Sequence, residues 1–323
     1  MPNVVCLGEL LIDLCAAEMD AGLDGARTFT KAAGGAPANV AVGLARLGES
    51  AGFVGAVGDD PFGSFLHRCL ETEGVDVRGL ARIPDVRTTL AFIAARSDGE
   101  KDIYFWRNPG ADMCLAAEHV DERYIAAAEA LEYGSISRID EGPRAATDKA
   151  RRLAAESGSL LVCDPNWRPT LWPNAEASRR RVLEGFDGAH VAKLSDEEWQ
   201  FITGSENLAA GAKTLFDRGV ELVIRSEGGR GASYATTGCV GHVPGFRVNC
   251  VEPTGAGDGF LACVIVELLK HWRAGVAPGG LAPADVQAIL RRANAVGAIA
   301  CTRVGAIPSL PTAERVNAFL AGQ

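Results

Sequence analysis

Four short apolar runs, with amphipathic helical patterns between them, constrain the fold of this chain of 323 residues more than any other feature. The apolar runs cover 3–8, 159–164, 189–193 and 220–225, and the helical patterns cover 39–47, 61–73, 142–157 and 208–219. Strands that alternate with helices predict an α/β fold with a mainly parallel central sheet and helices on both faces. Because ligands bind beyond the carboxyl ends of such strands, the residues that follow each run are the first candidates for a site.

Two further segments do not fit this alternation. Residues 88–96 and 101–106 are rich in β-forming side chains and flank Ser97-Asp98-Gly99-Glu100, in which Asp-Gly favours a hairpin turn. A turn-rich segment also follows the first strand. We therefore predict a small β-sheet lid formed by 15–32 and 88–107, and a core formed by 1–14, 33–87 and 108–323. An ordinary edge hairpin is the alternative to this lid.

Charge and cysteine content limit the partners and the compartment. The chain carries 32 Lys and Arg against 41 Asp and Glu, which gives a net charge of −9, and it has no dense basic cluster. Nucleic acid and anionic membrane surfaces are therefore poor candidate partners. The nine cysteines are scattered, without a CxxC motif or the Cys/His spacing of a metal site. No apolar run is long enough to cross a membrane and no secretory leader is evident, so we expect a reduced, cytoplasmic protein.

The most informative segment is 251–260, in which Gly255-Ala256-Gly257 precedes an apolar helical run. Small residues at a helix start leave backbone N–H groups accessible, and the helix N-terminus adds about half a positive charge, which suits phosphate oxygens. Asp258 follows these residues. A carboxylate there would accept a proton, hold a metal ion or simply cap the helix. The GxxxxGK[ST] motif is absent, which argues against a P-loop enzyme.

Three weaker motifs accompany this segment. The consecutive glycines in Ala33-Gly34-Gly35-Ala36-Pro37-Ala38-Asn39-Val40-Ala41 would let a substrate approach the backbone closely. Polar side chains in Cys163-Asp164-Pro165-Asn166-Trp167-Arg168 directly follow a predicted strand. Lys193-Leu194-Ser195-Asp196-Glu197-Glu198 follows the next strand, and its carboxylates favour a helix cap, with a metal-binding role as the alternative.

Taken in this order, the four segments resemble the ribokinase (PfkB) family of carbohydrate kinases over essentially the whole chain, and within that family the fructokinases. Residues 8–13, 106–113, 164–172 and 302–308 support the resemblance. It implies a ribokinase-like three-layer α/β/α core with a small β-sheet lid. It also implies an ATP-dependent kinase that transfers the γ-phosphate to a primary hydroxyl of a free sugar, with ATP and Mg²⁺ as cofactors.

The resemblance assigns roles to individual residues. Asp258 would be the base, and the N–H groups of Gly255, Ala256, Gly257 and Asp258 would hold the transferred phosphoryl group. The residues expected to bind the sugar are Asp13, Gly34, Gly35, Asn39, Phe92, Arg107, Asp164 and Arg168. Those expected to bind ATP are Lys193, Ser195, Ser226, Gly228, Gly231 and Asn294. Glu198 would hold Mg²⁺ through water, and Glu252 would bind a monovalent cation such as K⁺, which stays open because Glu-Pro replaces the family's usual Asp-Thr.

Other functions remain to be weighed. Fructose is the favoured sugar, but Arg107 and Arg168 together would also suit a carboxylate, so 2-keto-3-deoxygluconate kinase is the alternative. Outside this class, a non-catalytic sensor of sugar or nucleotide would be expected to lack the base or the glycines. A nicotinamide-dependent dehydrogenase would need GxGxxG after the first strand, where the chain has Gly8-Glu9-Leu10-Leu11-Ile12-Asp13. Because family members often pair through their lids, a homodimer through the lid also stays open.

Overall fold

The computed structural model describes residues 1–97 and 101–323, so most of the predicted hairpin turn, Asp98 to Glu100, lies outside the described residues. The strands are β1 (Val4–Leu7), β2 (Leu11–Ala16), β3 (Phe29–Gly34), β4 (Ala51–Gly58), β5 (Asp76–Ile83), β6 (Leu90–Ala95), β7 (Lys101–Trp106), β8 (Ala130–Tyr133), β9 (Leu160–Cys163), β10 (Val191–Ser195), β11 (Leu222–Ser226), β12 (Gly231–Ala235) and β13 (Val240–Pro244). The helices are α1 (Gly22–Gly25), α2 (Ala36–Arg46), α3 (Pro61–Thr72), α4 (Glu122–Ala126), α5 (Glu141–Glu156), α6 (Ala175–Gly185), α7 (Asp196–Thr203), α8 (Leu208–Phe216), α9 (Ala256–Arg273), α10 (Pro283–Ala300), α11 (Ala306–Ser309) and α12 (Ala313–Ala321).

The central sheet has the order β13-β12-β11-β10-β9-β8-β1-β4-β5 in the described part of the chain. The seven strands from β11 to β5 run parallel, while β12 and β13 continue the sheet as antiparallel neighbours. The four apolar runs become β1, β9, β10 and β11, which confirms the predicted mainly parallel sheet. Their carboxyl ends meet along one edge, where the motifs that follow them also lie.

The strands are buried on both faces because helices cover both sides of the sheet. In β1, Val4 and Cys6 belong to the apolar core beneath α2, α9 and α10. Val5 and Leu7 belong to the core on the other side, with residues of α5, α6 and α8. Successive side chains of a strand point to opposite faces of the sheet, so β1 contributes to both cores. The sheet with helices on its two faces forms a three-layer α/β/α arrangement.

A second, smaller sheet has the order β3-β2-β6-β7. Its strands β6 and β7 pair antiparallel, which confirms the pairing of the two β-rich runs, and β2 runs parallel to β6. The small sheet includes 11–14 and 33–34, which the predicted division assigned to the core. The boundary between core and lid therefore stays a prediction.

None of the helices among the described residues is long and apolar enough to cross a membrane. The nine cysteines all lie within the described ranges and carry free thiols. The compartment in which the protein works remains a prediction.

Candidate active site

The start of helix α9 is shaped by Gly255, the residue that precedes its first turn. Gly255 has a φ of +80°, a conformation that L-residues with side chains rarely adopt. A Cβ atom here would lie 2.8 Å from the Cα atom of Ala306 in α11. Only glycine therefore lets the chain turn sharply into α9 while α11 packs against the turn.

Three backbone N–H groups at this turn are available to a ligand. Those of Gly255, Gly257 and Asp258 make no hydrogen bond to any residue in 1–97 or 101–323. The N–H of Ala256 donates instead to the Pro253 carbonyl at 3.1 Å, which corrects the prediction that all four amides hold an anion. Because α9 is 18 residues long, its dipole adds positive potential at the same point. The three amides and the dipole form a site suited to a phosphoryl group.

Asp258 lies in the first turn of α9 and is bonded across the interface with α2. The Asn39 Nδ2 atom donates to the Asp258 Oδ2 atom at 2.8 Å. Burial raises the pKa of Asp258 to about 6, although the Asn39 hydrogen bond and the charge of Lys193 oppose the rise. The Asn39 Oδ1 atom is buried and has no partner among the described residues. Asp258 thus has the proton affinity of a base that works near neutral pH, beside an amide oxygen free to accept a hydroxyl proton.

Asp13 faces the two consecutive glycines that precede α2. A Cβ atom on Gly34 would lie 2.2 Å from the Asp13 Oδ2 atom, so the carboxylate occupies the space that a side chain would need. Gly35 has a φ of +111°, and a Cβ atom there would lie 2.3 Å from the Glu9 carbonyl oxygen. A side chain at Gly35 would clash with backbone atoms and one at Gly34 would displace the Asp13 carboxylate, which lies directly against the Gly34 backbone.

The charge of Arg168 acts on three carboxylates: Glu9, Asp13 and Asp258. Burial raises the pKa of Glu9 to about 7 and of Asp13 and Asp258 to about 6, and the charge of Arg168 opposes the rise in each. The one hydrogen bond of the Arg168 guanidinium to a described residue is with the Trp167 carbonyl, at 3.2 Å. Arg168 therefore lies among the predicted sugar-binding residues with donors to spare.

Arg107 is held more firmly. Its Nε atom donates to the Asp112 Oδ2 atom at 2.7 Å, and its Nη1 atom lies 3.2 Å from the Asp140 Oδ2 atom. The Nη2 group is buried and has no partner among the described residues. Two aspartates therefore orient Arg107 and neutralise its charge, while one NH₂ group stays available.

Asp164 and Lys193 form a buried ion pair at the ends of β9 and β10. The Lys193 Nζ atom lies 2.7 Å from the Asp164 Oδ2 atom, and Asp164 Oδ1 accepts the Asn166 N–H at 3.1 Å. A Cβ atom on Gly257 would lie 3.4 Å from the Lys193 Nζ atom. Asp164 thus holds Lys193 beside the amides of α9, and both of its oxygens are already bonded within the protein.

Ser195 and Glu198 form a reciprocal cap on helix α7. The Ser195 Oγ atom accepts the Glu198 N–H at 3.2 Å, and the Glu198 Oε2 atom accepts the Ser195 N–H at 2.7 Å. The other oxygen, Oε1, accepts the Trp167 N–H. The capping interpretation is therefore confirmed. Each carboxylate oxygen keeps a second lone pair, so a Mg²⁺-bound water could still donate to Glu198.

The glycine-rich turn after β11 and the side chain of Asn294 in α10 meet at one backbone carbonyl. Gly231 has a φ of +107°, and a Cβ atom there would lie 2.1 Å from the Val243 oxygen. The Asn294 Nδ2 atom donates to that same oxygen at 3.1 Å. Gly228 has a φ of +57° and open space above its Cα atom, and Ser226 pairs with Ser195 on the neighbouring strand. The structure thus brings the predicted ATP-binding residues to one end of the sheet.

Glu252 accepts three hydrogen bonds from within the protein. Its Oε2 atom accepts the Gly305 N–H at 2.8 Å, while its Oε1 atom accepts the Thr254 hydroxyl at 2.6 Å and the Lys101 ammonium at 3.0 Å. Burial alone would raise the pKa of Glu252, but these three hydrogen bonds outweigh it and lower the pKa. An ammonium group from the small sheet therefore already contacts the carboxylate that was predicted to bind a monovalent cation.

Phe92 does not lie where the sequence predicts it. It pairs with Leu14, the residue after Asp13, so Phe92 and Asp13 lie on opposite faces of the small sheet. The Phe92 ring packs against Phe29 at 5.6 Å and Trp106 at 6.2 Å between centroids, and Trp106 is 66% exposed. The predicted contact between Phe92 and the sugar is therefore corrected: its ring belongs to the outer face of the small sheet.

Two residues of the cleft were not predicted. Glu9 is buried and accepts the Ala36 N–H at 3.1 Å, which fixes the start of α2. Its position just after the first strand is the sequence feature that could have marked Glu9 as a site residue. No sequence feature marks Lys101, because one lysine after a predicted hairpin turn is typical of a solvated edge.

Comparison with known proteins agrees with this geometry. Residues 1–313 match the model of the pfkB family carbohydrate kinases. The chain is 42% identical to probable fructokinase-4 of Arabidopsis thaliana over 99% of its length and 97% of the relative's. A fructokinase of Xylella fastidiosa with bound ATP superposes with a TM-score of 0.89 at 32% identity, covering 100% and 99% of the two chains. A putative ribokinase II of E. coli, solved with ATP and Mg²⁺, superposes with a TM-score of 0.87 at 26% identity, and each chain is covered fully.

Proposed function

Because this chain belongs to the pfkB family of carbohydrate kinases and is thus a phosphotransferase that acts on a sugar hydroxyl, we propose that it is a fructokinase using ATP. The observation that carries the proposal is the position of Asp258. Its carboxylate is held by Asn39 at 2.8 Å, in the same turn as the N–H groups of Gly255 and Gly257, which donate to no described residue. A base and an anion site within one helical turn are what phosphoryl transfer to an alcohol requires.

In the proposed reaction, Asp258 takes the proton from a primary hydroxyl of the sugar. The hydroxyl oxygen forms a bond to the γ-phosphorus as the bond from that phosphorus to the bridging oxygen of ADP breaks. The N–H groups of Gly255, Gly257 and Asp258 would stabilise the negative charge on the transferring group. Lys193, fixed by Asp164 at 2.7 Å, would add positive charge beside Gly257. Catalysis then rests on positioning and charge rather than on a covalent intermediate.

Mg²⁺ fits the chemistry of this site. Burial raises the pKa of Glu198, and a nearby cation would offset the cost of its buried negative charge. Glu198 would hold Mg²⁺ through water, since each oxygen already accepts one backbone N–H. When bound with ATP, the ion would neutralise phosphate charge.

Glu252 is the candidate for K⁺, and equal rates in KCl and in tetramethylammonium chloride would dismiss that role.

The charges of the cleft support a neutral ketose over a sugar acid. Arg107 is neutralised by Asp112 and Asp140, and Arg168 faces the carboxylates of Asp13 and Glu9. A carboxylate on the substrate would meet these acids, and protein carboxylates already offset the charge of both arginines. We therefore expect kcat/KM for D-fructose to exceed that for 2-keto-3-deoxygluconate, and the reverse ranking would favour the alternative.

A homodimer through the small sheet is also part of the proposal. The outer face carries Phe29, Phe92, Tyr104 and Trp106, of which Tyr104 and Trp106 are 64% and 66% exposed. Strand β7 is an edge strand, whose backbone groups can pair with a second copy. Sedimentation velocity should give a dimer for the wild-type protein and a monomer for Trp106→Lys. A wild-type monomer at micromolar concentration would refute this part.

The direct test of function is release of ADP from ATP and Mg²⁺ in the presence of single sugars. D-fructose, D-ribose, D-glucose and 2-keto-3-deoxygluconate form the panel, and product NMR locates the phosphate. We expect the highest kcat/KM with fructose and phosphate on a primary carbon. Sugar-independent binding of ATP without any turnover would instead support a sensor.

A further inference from the structure

Lys101, the first residue of β7, connects the small sheet to the loop that leads into helix α9. Its Nζ atom lies 3.0 Å from the Glu252 Oε1 atom and also donates to the Thr254 hydroxyl. Both side chains of the ion pair are 23% exposed, so water screens the contact only in part. This pair joins residues 151 positions apart. Lys101 belongs to the small sheet, and Glu252 belongs to the loop before α9.

The direction of Lys101 follows from the strand. Along β7, Lys101, Ile103 and Phe105 are half-buried, whereas Tyr104 and Trp106 are exposed. Lys101 therefore projects from the inner face of the small sheet. Burial raises the pKa of Asp13 to about 6, and the charge of Lys101 is the main influence that opposes the rise. The ammonium therefore contacts Glu252, and its charge also acts on Asp13.

Glu252 in turn holds the loop that presents the amides. Through its two oxygens it ties Thr254, the residue before Gly255, to the Gly305 N–H beside α11. A Cβ atom on Gly255 would touch Ala306, the residue after Gly305, so the turn has little space in which to move. Lys101 bonds the small sheet to this arrangement through the side chains of Glu252 and Thr254.

We propose that Lys101 is a positioning residue that couples the small sheet, where Asp13 lies, to the loop that orients the N–H groups of Gly255, Gly257 and Asp258. The coupling rests on the proposed function, in which those amides hold the transferring phosphoryl group. When the small sheet is in place over the sugar, Lys101 fixes Glu252 and Thr254 and so fixes the anion site. Without this contact the site still forms, but its loop moves more freely.

The test compares Lys101→Met, which keeps the length and removes the charge, with Lys101→Arg, which keeps the charge. Lys31→Met is the matched control, because Lys31 is a lysine of the same small sheet that lies over the Phe65 ring, 3.7 Å from its centroid. We expect Lys101→Met to lower kcat about tenfold with little change in KM for ATP, the effect of losing one charged hydrogen bond. Lys101→Arg should restore most of the rate, and Lys31→Met should resemble the wild type.

Two further measurements separate positioning from a merely structural role. Removal of the Lys101 charge should raise the pKa of Asp13, so the acid limb of kcat/KM for the sugar should shift to higher pH. In a double-mutant cycle, Lys101→Met should add little to Glu252→Gln, because both break the same contact. Additive losses, or a kcat within twofold of wild type in Lys101→Met, would overturn the proposal.

Hydrogen exchange tests the coupling independently of the sugar assignment. In Lys101→Met, the hydrogen-bonded amides of Glu252, Ala256 and Gly259 should exchange several-fold faster than in the wild type, while those of the central strands should not change. Lys31→Met should leave both unchanged. If the wild type fails to phosphorylate any sugar but this exchange pattern appears, the proposed function fails and the coupling stands. Unchanged exchange at those three amides would refute the coupling in an active enzyme.

Discussion

The Asn39 side-chain amide donates to the Asp258 carboxylate at 2.8 Å, across 219 positions of sequence. This bond joins the first residues after the paired glycines to the first turn of α9, so it links the predicted sugar end of the cleft to its phosphoryl end. It also leaves the Asp258 Oδ1 atom without a hydrogen-bond partner among the described side chains. Asn39 is therefore placed to aim the base and to tune its proton affinity.

Replacing Asn39 with Ala should change both the rate and its pH dependence. The Asn39 hydrogen bond lowers the pKa of Asp258 against the larger effect of burial, so its loss should raise that pKa above about 6. We expect kcat at pH 7 to fall about tenfold, the effect of losing one charged hydrogen bond, and to recover in part at higher pH. A pH–rate profile of the variant checks this. An acid limb at the wild-type position would contradict the tuning role.

In the wild-type enzyme, kcat/KM for the sugar should rise with pH through about 6 and reach a plateau near neutrality. Burial raises the pKa of Asp13 and of Asp258 to about 6, and both must be ionised to accept protons from sugar hydroxyls. Because two groups titrate together, the acid limb should be steeper than for one proton. Activity that stays constant from pH 5 to about 8 would rule out both carboxylates as acceptors.

The raised pKa of Asp258 should also make the free energy of unfolding depend on pH. Asp258 binds its proton more tightly in the folded protein than in the unfolded chain, since its pKa is raised from 3.8 to about 6. The stabilisation from protonated Asp258 is full at pH values below its unfolded pKa and is lost as pH rises through about 6. The free energy of unfolding of Asp258→Asn, measured in urea, should therefore gain on the wild type as pH rises towards 7. A constant difference between the two proteins would contradict the raised pKa.

Gly34→Ala should damage sugar binding and spare ATP binding. Its Cβ atom would meet the Asp13 Oδ2 atom at 2.2 Å, so the carboxylate must move away from the backbone of residue 34. Since a displacement of about 1 Å at a binding group can cost up to about 100-fold, we expect KM for the sugar to rise at least about tenfold. Gly238→Ala, at a site with open space, is the control. An unchanged KM for the sugar would exclude Asp13 from the contact.

Gly231→Ala should weaken ATP binding and spare sugar binding. Gly231 has a φ of +107°, and the added Cβ atom would lie 2.1 Å from the Val243 oxygen that Asn294 also contacts. We expect KM for ATP to rise about tenfold, which corresponds to the usual cost of such backbone strain, with KM for the sugar unchanged. The neighbouring Gly229→Ala has open space and should behave as the wild type. A rise in KM for the sugar alone would move this turn out of the nucleotide site.

The sequence was informative wherever a function depends on neighbours along the chain. The anion site follows from Gly255-Ala256-Gly257-Asp258, because a helix start and its amides are local features. The parallel sheet follows from the buried runs that become β1 and β9. Even here, the bond from the Ala256 N–H to the Pro253 carbonyl depends on how the turn closes, which residue types alone do not determine.

Contacts between distant segments were not predictable in the same way. The face on which Phe92 lies depends on its register with Leu14, and a shift of one residue would reverse it. Lys101 reaches Glu252 only because the small sheet packs its inner face towards the core. The bond from the Trp167 N–H to the Glu198 Oε1 atom likewise joins segments that lie 31 positions apart.

The measurement that bears most directly on the mechanism is the turnover of Asp258→Asn, with ATP and fructose binding followed by calorimetry. Asparagine keeps the size of the side chain and removes the proton acceptor. We expect affinities for ATP and fructose within a few-fold of wild type and a loss of at least about 100-fold in kcat, the low end for removal of a general base. A variant that binds both ligands and turns over at a near-normal rate would show that another group accepts the proton.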